Sequence, residues 1–214
     1  MAEPDNRRPI ASRNTGWARK LATWLAQRNV TPNQISQASM VAAALAAIAF
    51  YFANGTTSGG RTPLLIAAAC FCQLRLLCNL FDGMVAVEAG KGEKDGPFWN
   101  EFPDRVSDIL ILVGIGYGVT QPALGWAAAA LAVLTAYARE LGQTTGLKAD
   151  FSGPMAKPHR MALVTLAAII SIFAGVWGMP NSPLVVALWV VAIGAGFTSL
   201  RRARRILKAL KTRA

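Results

Sequence analysis

The residues best suited to chemistry lie between positions 79 and 108, where most of the acidic side chains of the chain stand between two long apolar runs. Asn79, Asp82 and Ala86 are spaced i, i+3, i+7, which places them on one stripe of a helix. Gly83 has no side chain and lets a ligand or another backbone come close. Ionised groups in membrane helices are costly and mark functional sites. The chemistry is therefore predicted here.

The second apolar run opens with a matching polar stripe. Asn100, Asp104 and Asp108 are spaced i, i+4, i+8, and Pro103 is compatible with a helix that begins a few residues earlier. Oxygen ligands that converge from two helices favour a hard divalent cation, which prefers carboxylates, amide carbonyls, waters and substrate phosphates. An alternative is that Asp104 and Asp108 simply pair with Arg105 and other basic residues at the membrane interface.

The composition is that of a polytopic membrane protein. Of 214 residues, 53% are hydrophobic and 15% are charged, and the mean hydropathy is +0.36, which lies outside the range of ordinary soluble domains. The net charge of +11 would suggest nucleic-acid binding in a soluble protein. In a membrane protein an excess of Lys and Arg first reports topology, so no nucleic-acid partner is predicted.

The hydrophobic pattern predicts an all-α protein with six transmembrane helices. Each apolar run is close to the roughly 20 residues that cross a bilayer. The predicted spans are 34–53, 62–86, 102–121, 123–145, 158–178 and 183–203. They form one membrane domain over 31–205, with a basic cytoplasmic tail over 206–214.

The N-terminal region is predicted to lie on the membrane rather than in it. We expect disorder over 1–9 and no cleaved signal peptide, because no apolar stretch occurs before about residue 35. Over 10–30, apolar residues such as Trp17 and Trp24 recur at helical spacing opposite basic residues, which is typical of an amphipathic interfacial helix. A plain surface helix is the alternative.

The distribution of basic residues predicts the orientation. The connections at 54–60, 121–122 and 178–182 carry almost no charge, whereas Lys and Arg collect at the other ends of the spans. Both termini and the acidic hairpin are therefore predicted to be cytoplasmic. The basic stretch over 201–208 either binds anionic lipid headgroups or only fixes this orientation, and the sequence leaves both readings open.

A second polar cluster is predicted on the same face. Arg139 and Glu140 end the fourth predicted span, and Lys157 and Arg160 open the fifth. Because Arg binds phosphate with a bidentate fork and Lys as a point charge, we expect Arg139, Lys157 and Arg160 to bind an acceptor that carries phosphate, such as glycerol 3-phosphate or an inositol phosphate. The alternative is topological charge without any ligand.

The acidic hairpin resembles the CDP-alcohol phosphotransferase family, whose signature is DxxDGxxAR, about eight residues, and then GxxxDxxxD. The corresponding residues are Asn79-x-x-Asp82-Gly83-x-x-Ala86-Val87 and then, after eight residues, Gly96-x-x-x-Asn100-x-x-x-Asp104. The Thr-Pro-Asn at 31–33 and the six-helix layout also look like this family, so the resemblance covers almost the whole chain. Asn79 and Asn100 stand where the family has Asp, and Val87 stands where it has Arg.

The resemblance implies an enzyme that moves the phosphatidyl group of CDP-diacylglycerol to a polar alcohol and releases CMP. It implies a homodimer, and similarity to a bacterial branch with Asn at both positions implies the bacterial inner (plasma) membrane. It assigns Mg²⁺ or Mn²⁺ to four residues, of which Asp104 is also the base on the acceptor hydroxyl: Asn79, Asp82, Asn100 and Asp104. Besides the basic cluster, the residues expected to bind substrate are Gly83, Ala86, Gly96 and Asp108.

The two Asn residues weaken the predicted metal cage. Each still offers a neutral carbonyl oxygen, but two negative charges are lost, so the affinity for Mg²⁺ should fall. Glu88, Glu101 and Asp108 are candidate sources of compensating charge. Three interpretations stay open: a variant site with one metal or a rearranged set, which we favour, a non-catalytic relative that binds nucleotide-lipid or regulates a membrane partner, and deliberately inactivated positions.

Overall fold

The computed structural model describes residues 15–55, 58–88, 90 and 94–212, and all regular structure in these ranges is helical. The predicted all-α class is therefore confirmed for this part of the chain. The helices are α1 (Gly16–Gln27), α2 (Pro32–Ala53), α3 (Ser58–Glu88), α4 (Gly96–Gly118), α5 (Pro122–Thr144), α6 (Lys157–Phe173) with a 3₁₀-helix at Ala174–Trp177, and α7 (Ser182–Lys211).

Proline sets the start of most of these helices. α2, α4, α5, α6 and α7 each have Pro at the first or second helical position, where its fixed φ and missing N–H are no handicap. α2 also has a capping box, in which the Gln34 N–H donates to Thr31 Oγ1 and the Thr31 N–H donates to Gln34 Oε1. α4 begins at Gly96, so Pro103 lies in its early turns, as the sequence required.

Helices α2 to α7 close into a ring. Around it, α2 packs on α3, α3 on α6, α6 on α7, α7 on α5, α5 on α4, and α4 again on α2. The core between them is rich in alanine, with Ala43, Ala46, Ala68, Ala128 and Ala195 completely buried. Small residues let membrane helices approach closely, and van der Waals packing then stabilises a bundle that gains little from hydrophobicity in lipid.

Glycines in α4 mark the closest helix contacts. A Cβ at Gly114 would lie 2.7 Å from the α2 backbone, one at Gly118 would lie 2.2 Å from the carbonyl oxygen of Phe50, and one at Gly116 would lie 2.7 Å from Cα of Gly125 on α5. These distances exclude any side chain. The Gly114 and Gly118 pair therefore serves packing within the ring.

The outside of the ring is apolar, as a lipid-facing surface requires. Ile48, Trp189 and Ile193 are more than half exposed. Among the described residues, four helices are long and apolar enough to cross a membrane: Pro32–Ala53, Gly59–Val87, Lys157–Trp177 and Ser182–Lys211. α4 and α5 correspond to the other two predicted spans, but α4 has several charged residues in its first half and α5 is rich in alanine. The count of six spans stays a prediction.

α1 lies on α3, outside the ring. Its inward side consists of small residues, with Ala18 and Ala22 buried, and the Trp17 ring meets Phe81 edge-on at a centroid distance of 6.0 Å. Trp17 and Trp24 are 52% and 49% exposed, so aromatic rings also face outward. The helix falls within the predicted range 10–30, although its place in the membrane interface stays a prediction and residues 1–14 lie outside the described ranges.

The C-terminal helix is longer than the sequence suggested. α7 continues to Lys211 without a break, past the predicted domain boundary at residue 205. The described part of the basic tail is therefore helical, and it holds its Lys and Arg side chains in a fixed register.

The glycine contact predicts a specific loss of stability. Gly118→Ala forces the α2 and α4 backbones apart, and overpacking of this kind typically costs roughly 1–3 kcal/mol. Gly175→Ala is the matched control, because a Cβ there meets nothing within 4 Å. Thermal unfolding in detergent should show a lower midpoint for Gly118→Ala alone. Equal midpoints for the two variants would contradict the α2–α4 contact.

Candidate active site

Three polar side chains share one face of α3. Arg75, Asn79 and Asp82 are spaced i, i+4, i+7 within this helix. Arg75 is completely buried and Asp82 is 5% exposed. Two buried carboxylates of α4, Asp104 and Asp108, complete the group.

Asn79 and Asp104 join α3 to α4. Asn79 Nδ2 donates a hydrogen bond of 2.9 Å to Asp104 Oδ1. Lys157, the first residue of α6, donates from Nζ to both Asn79 Oδ1 and Asp104 Oδ2. Three helices that are distant in sequence therefore meet at one polar point.

Asp82 belongs to the same cluster. Its Oδ2 accepts a hydrogen bond of 2.8 Å from Ser36 Oγ on α2, and its Oδ1 accepts one of 2.5 Å from the Gly83 N–H. The carboxylate also interacts electrostatically with Lys157 and Asp104. Of the two carboxylates that the motif singled out, Asp104 thus contacts the Lys157 ammonium group directly, and Asp82 interacts with it electrostatically.

A second layer of ions lies beneath this point. Arg75 Nη2 is 3.4 Å from Asp104 Oδ1 and 3.5 Å from Asp108 Oδ1, and Arg160 Nη2 donates a hydrogen bond of 2.6 Å to Asp108 Oδ2. The side chains of Arg75 and Asp108 have no solvent exposure. Because a buried ion costs several kcal/mol unless it is paired, these contacts allow the cluster to exist inside the ring.

Asp108 and Arg160 are buried in an ion pair, and their predicted role as substrate ligands stays a prediction. Their side chains are 0% and 2% exposed, and Arg160 Nη1 also donates to the Met155 carbonyl at 2.9 Å. Asp108 does share the stripe of Asp104, but one helical turn places it about 6 Å deeper. At that depth it acts as the counter-ion of two arginines.

The remaining motif positions lie at the ends of α3 and α4. Asn100 is exposed and its Nδ2 is 3.4 Å from Glu101 Oε1, and no described hydrogen bond joins it to Asn79, Asp82 or Asp104. Gly83, Ala86 and Gly96 are partly exposed. Their substrate-binding role stays a prediction.

Arg139 of α5 and Lys157 of α6 are the predicted phosphate ligands that remain partly accessible, with 16% and 17% of their side chains exposed. Arg139 pairs with Glu101 and Glu140. The guanidinium carbon also lies 5.4 Å from the centroid of the Phe151 ring.

Arg105 pairs with the same Glu101 and not with Asp104. The alternative prediction is nevertheless met in its other part, because Asp104 pairs with Arg75 and Lys157, and Asp108 pairs with Arg75 and Arg160.

Asp95 connects the start of α4 to α2. Its carboxylate accepts hydrogen bonds from Asn33 Nδ2 at 3.1 Å and from Trp99 Nε1 at 2.9 Å. The bond from Asn33, followed by the one from Trp99, lowers the pKa of Asp95. Asn33 belongs to the Thr-Pro-Asn segment that resembles the family, and this contact gives the segment a structural role.

The sequence analysis missed Arg75 and Ser36. Arg75 did carry a usable signal, because a lone Arg inside an apolar run is costly in a membrane helix and lies one turn before Asn79 on the same stripe. Ser36 carried none, since its contact with Asp82 depends on how α2 packs on α3.

The carboxylates of the cluster fit a hard divalent cation only if amide or substrate oxygens complete the set of ligands. Among the described residues, no group of three Asp, Glu, His or Cys side chains is placed to hold a metal ion. Asp82 and Asp104 supply two carboxylates, and Asn79 adds a carbonyl oxygen at the same point. Oxygen donors of this kind suit Mg²⁺ or Mn²⁺.

Sequence comparison finds relatives of one kind, although no protein-family model matches the chain. It is 27% identical over 142 residues to a phosphatidylinositol phosphate synthase of Mycolicibacterium smegmatis, covering 61% of each protein. The same synthase of Streptomyces avermitilis is 25% identical over 192 residues, which are 85% of this chain and 74% of that protein. An archaetidylinositol phosphate synthase of Pyrococcus horikoshii is 31% identical over 99 residues, covering 46% of this chain and 47% of that protein.

Comparison with solved structures finds the same fold. Crystal structures of the Mycobacterium tuberculosis phosphatidylinositol phosphate synthase superpose with a TM-score of 0.72 and 22% identity. One holds manganese and citrate, with 89% of this chain and 88% of that chain covered. Another holds CDP-diacylglycerol, with 88% and 92% covered.

The buried ion pairs predict unequal costs of removing an arginine. Arg160→Met leaves Asp108 short of a partner inside the ring, and loss of one partner of a buried pair typically costs about 3–5 kcal/mol. Arg205→Met is the control, because the Arg205–Asp150 pair is half exposed on the Arg side and exposed pairs contribute about 1 kcal/mol or less. Thermal midpoints in detergent measure the difference. If the two variants have the same thermal midpoint, the buried Arg160–Asp108 pair contributes no more to stability than the exposed Arg205–Asp150 pair.

Proposed function

We propose that this chain is a homologue of phosphatidylinositol phosphate synthases of the CDP-alcohol phosphotransferase family. On this premise, it transfers the phosphatidyl group of CDP-diacylglycerol to a phosphorylated polar alcohol and releases CMP. The observation that carries this proposal is the meeting of Asn79, Asp104 and Lys157 from three helices, with Asp82 beside them. It supplies oxygen donors, a base and a cation at one point.

The proposed setting is a bacterial inner membrane that the ring crosses with six spans. α4 and α5 lie between spanning helices in the ring and have similar length, which supports counting them as spans. The excess of basic residues at one side favours a cytoplasmic active site and cytoplasmic termini. α1, with its outward Trp17 and Trp24, suits the interface of that side.

Asp82, Asp104 and the carbonyl oxygens of Asn79 and Asn100 would hold one divalent metal, Mg²⁺ or Mn²⁺. When bound, this ion neutralises the diphosphate and stabilises the charge on the departing CMP. Two carboxylates with a lysine among them carry too little negative charge for two dications, so we favour a single ion. Asn100 would turn from its contact with Glu101 to join.

Asp104 would act as the base. The acceptor hydroxyl oxygen forms a new bond to the phosphatidyl phosphorus, the bond from that phosphorus to CMP breaks, and the hydroxyl proton passes to the Asp104 carboxylate. Asn79 Nδ2 and Arg75 hold Oδ1 on one side. Lys157 occupies Oδ2 in this structure, so this oxygen becomes available to a proton only when Lys157 turns to another anion.

Lys157 and Arg139 would bind the phosphate of the acceptor. Lys157 sits beside the base, and a substrate phosphate is a stronger partner for an ammonium than the Asn79 carbonyl. Arg139 of α5 pairs with Glu101 of α4 and keeps 16% of its side chain exposed. Arg160 and Asp108 would act as positioning residues, since both are buried and Arg160 lies one helical turn after Lys157.

A non-catalytic role is the second candidate. Asn79 and Asn100 replace two carboxylates, and a relative that only binds nucleotide-lipid or regulates a membrane partner would tolerate that loss.

Homodimerisation rests on the family resemblance.

An assay of CMP release tests the transferase. Purified wild-type protein with Mg²⁺ or Mn²⁺ and CDP-diacylglycerol should release CMP with inositol phosphate or glycerol 3-phosphate, and much less with inositol or glycerol. Asp104→Asn should lower the rate by about a hundredfold or more, because it removes the base. Asp82→Asn should do the same by removing a metal ligand.

Asp150→Asn is the control for this assay. Asp150 pairs with Arg205 and accepts a hydrogen bond from the Ser152 N–H, and neither partner belongs to the site cluster. Removal of the Asp150 carboxylate should therefore leave the rate of CMP release nearly unchanged. If the wild-type chain releases no CMP while Asn79→Asp with Asn100→Asp does, the non-catalytic role replaces the transferase. Equal rates with free and phosphorylated alcohols would exclude only the proposed acceptor class.

Electron paramagnetic resonance of bound Mn²⁺ tests the single-ion site without turnover. The wild-type chain should bind one Mn²⁺ with an uncoupled six-line spectrum. Lys157→Met should bind it about tenfold more tightly, because an ammonium no longer competes for Asp104. Lys20→Met on the exposed side of α1 removes the same charge and should change nothing. Two coupled ions per wild-type chain, or weaker binding in Lys157→Met, would refute the single-ion site.

A further inference from the structure

A groove runs along the last turns of α7, on a part of the ring that the proposed reaction does not use. Its volume is about 260 Å³, and it is lined by Phe197, Leu200, Arg201, Arg204, Arg205 and Lys208. Most of these positions repeat at i+3, i+4, i+7 and i+11 from Phe197, which keeps them on one stripe of the helix. A continuous helix to Lys211 holds that stripe in place.

The groove changes from apolar to basic along its length. Phe197 and Leu200 are 58% and 50% exposed, and they end the apolar part of α7. The four basic side chains follow over the next turns. At 1.5 Å per residue, the stretch from Arg201 to Lys208 rises about 10 Å, which is enough to cross the roughly 5–8 Å that a headgroup layer adds on each side of the hydrocarbon core. The change in chemistry therefore matches the boundary between acyl chains and headgroups.

The basic side chains of the groove are mostly not neutralised by the protein. Arg205 pairs with Asp150 and donates to Ser152 Oγ. No ion pair of the described residues involves Arg201, Arg204 or Lys208. Three cations on one stripe repel each other and attract an anion, each contributing about 1 kcal/mol near an anionic membrane surface.

We propose that this groove is a binding site for an anionic glycerophospholipid of the surrounding membrane. The lipid phosphate lies among Arg201, Arg204 and Lys208, and its first acyl segment covers Phe197 and Leu200. Arg forks suit phosphate oxygens, and the two apolar side chains give the acyl chain a surface that a soluble phosphate ion would not use. A second copy of the chain is a poorer occupant, because a two-fold contact would set the same basic stripe against itself.

The site is distinct from general orientation by positive charge. The orientation of a membrane protein depends on how many Lys and Arg lie near the end of a span, and their order along the chain does not matter. Here the two apolar side chains and the three unpaired cations line one cavity, which predicts a retained lipid of defined stoichiometry rather than a diffuse attraction.

Native mass spectrometry tests the groove directly. The protein is extracted from bilayer discs that contain equal amounts of phosphatidylglycerol and phosphatidylcholine, and retained lipids are counted. We expect one phosphatidylglycerol per wild-type chain and at least a tenfold loss in a variant with Arg201→Gln, Arg204→Gln and Lys208→Gln. Phe197→Ala, which keeps every charge, should also lower retention by several-fold.

A second triple variant serves as the control. Arg19→Gln, Lys20→Gln and Arg28→Gln remove the same charge from exposed positions on α1 and at its C-cap, and should keep the lipid. Equal losses in the two triple variants, or equal retention of phosphatidylcholine, would overturn the proposal in favour of unspecific attraction. Wild-type dimers that become monomers on loss of the α7 charges, with no change in lipid, would identify the groove as an interface between copies.

Discussion

Neutralisation of charge inside the helix ring is the constraint on which the site depends. Asp82, Asp104 and Asp108 enter a low-dielectric interior, and Arg75, Lys157 and Arg160 match them. Each ion would be very costly alone. Because the partners come from α3, α4 and α6, the ion cluster also fixes the relative depth of these helices. The packing by alanine and glycine around it brings their backbones close enough for the pairs to form.

The Asn at position 79 has a physical explanation in this balance. Asn79 is neutral, yet its amide uses both ends: Nδ2 holds Asp104 and Oδ1 accepts from Lys157. A carboxylate in its place would bind Lys157 more strongly and lose the bond to Asp104. Because the Lys157 ammonium already balances part of the negative charge of the carboxylates, less positive charge is needed from a bound metal ion. In the proposed reaction this cluster would hold one exchangeable ion besides the tethered Lys157 ammonium, and substrate would separate Lys157 from Asp104.

Much of the fold was predictable, because hydrophobic runs and proline positions are local signals. The six apolar runs correspond to α2 to α7, and the Thr-Pro-Asn segment lies at the start of α2, where Thr31 forms a capping box with Gln34. The spacing of Asp82 and Asp104 selected two side chains that belong to one charged cluster, in which Lys157 contacts Asp104 and interacts electrostatically with Asp82. The depth of each side chain was not predictable: the same stripe that carries Asp104 carries Asp108 one turn further in, where two arginines contact it. Arg75 and Ser36 depend on helix packing, which spacing along one helix does not encode.

The central claim is that α3 and α4 bring Asp82 and Asp104 to one cation-binding point beside Lys157. Anomalous diffraction at the manganese edge, from crystals grown with Mn²⁺ and CDP-diacylglycerol, tests it most directly. One anomalous peak within bonding distance of both carboxylates, with the Lys157 ammonium displaced from Asp104, is the predicted result. A peak that contacts neither carboxylate, or none at all beside a bound diphosphate, would contradict the account.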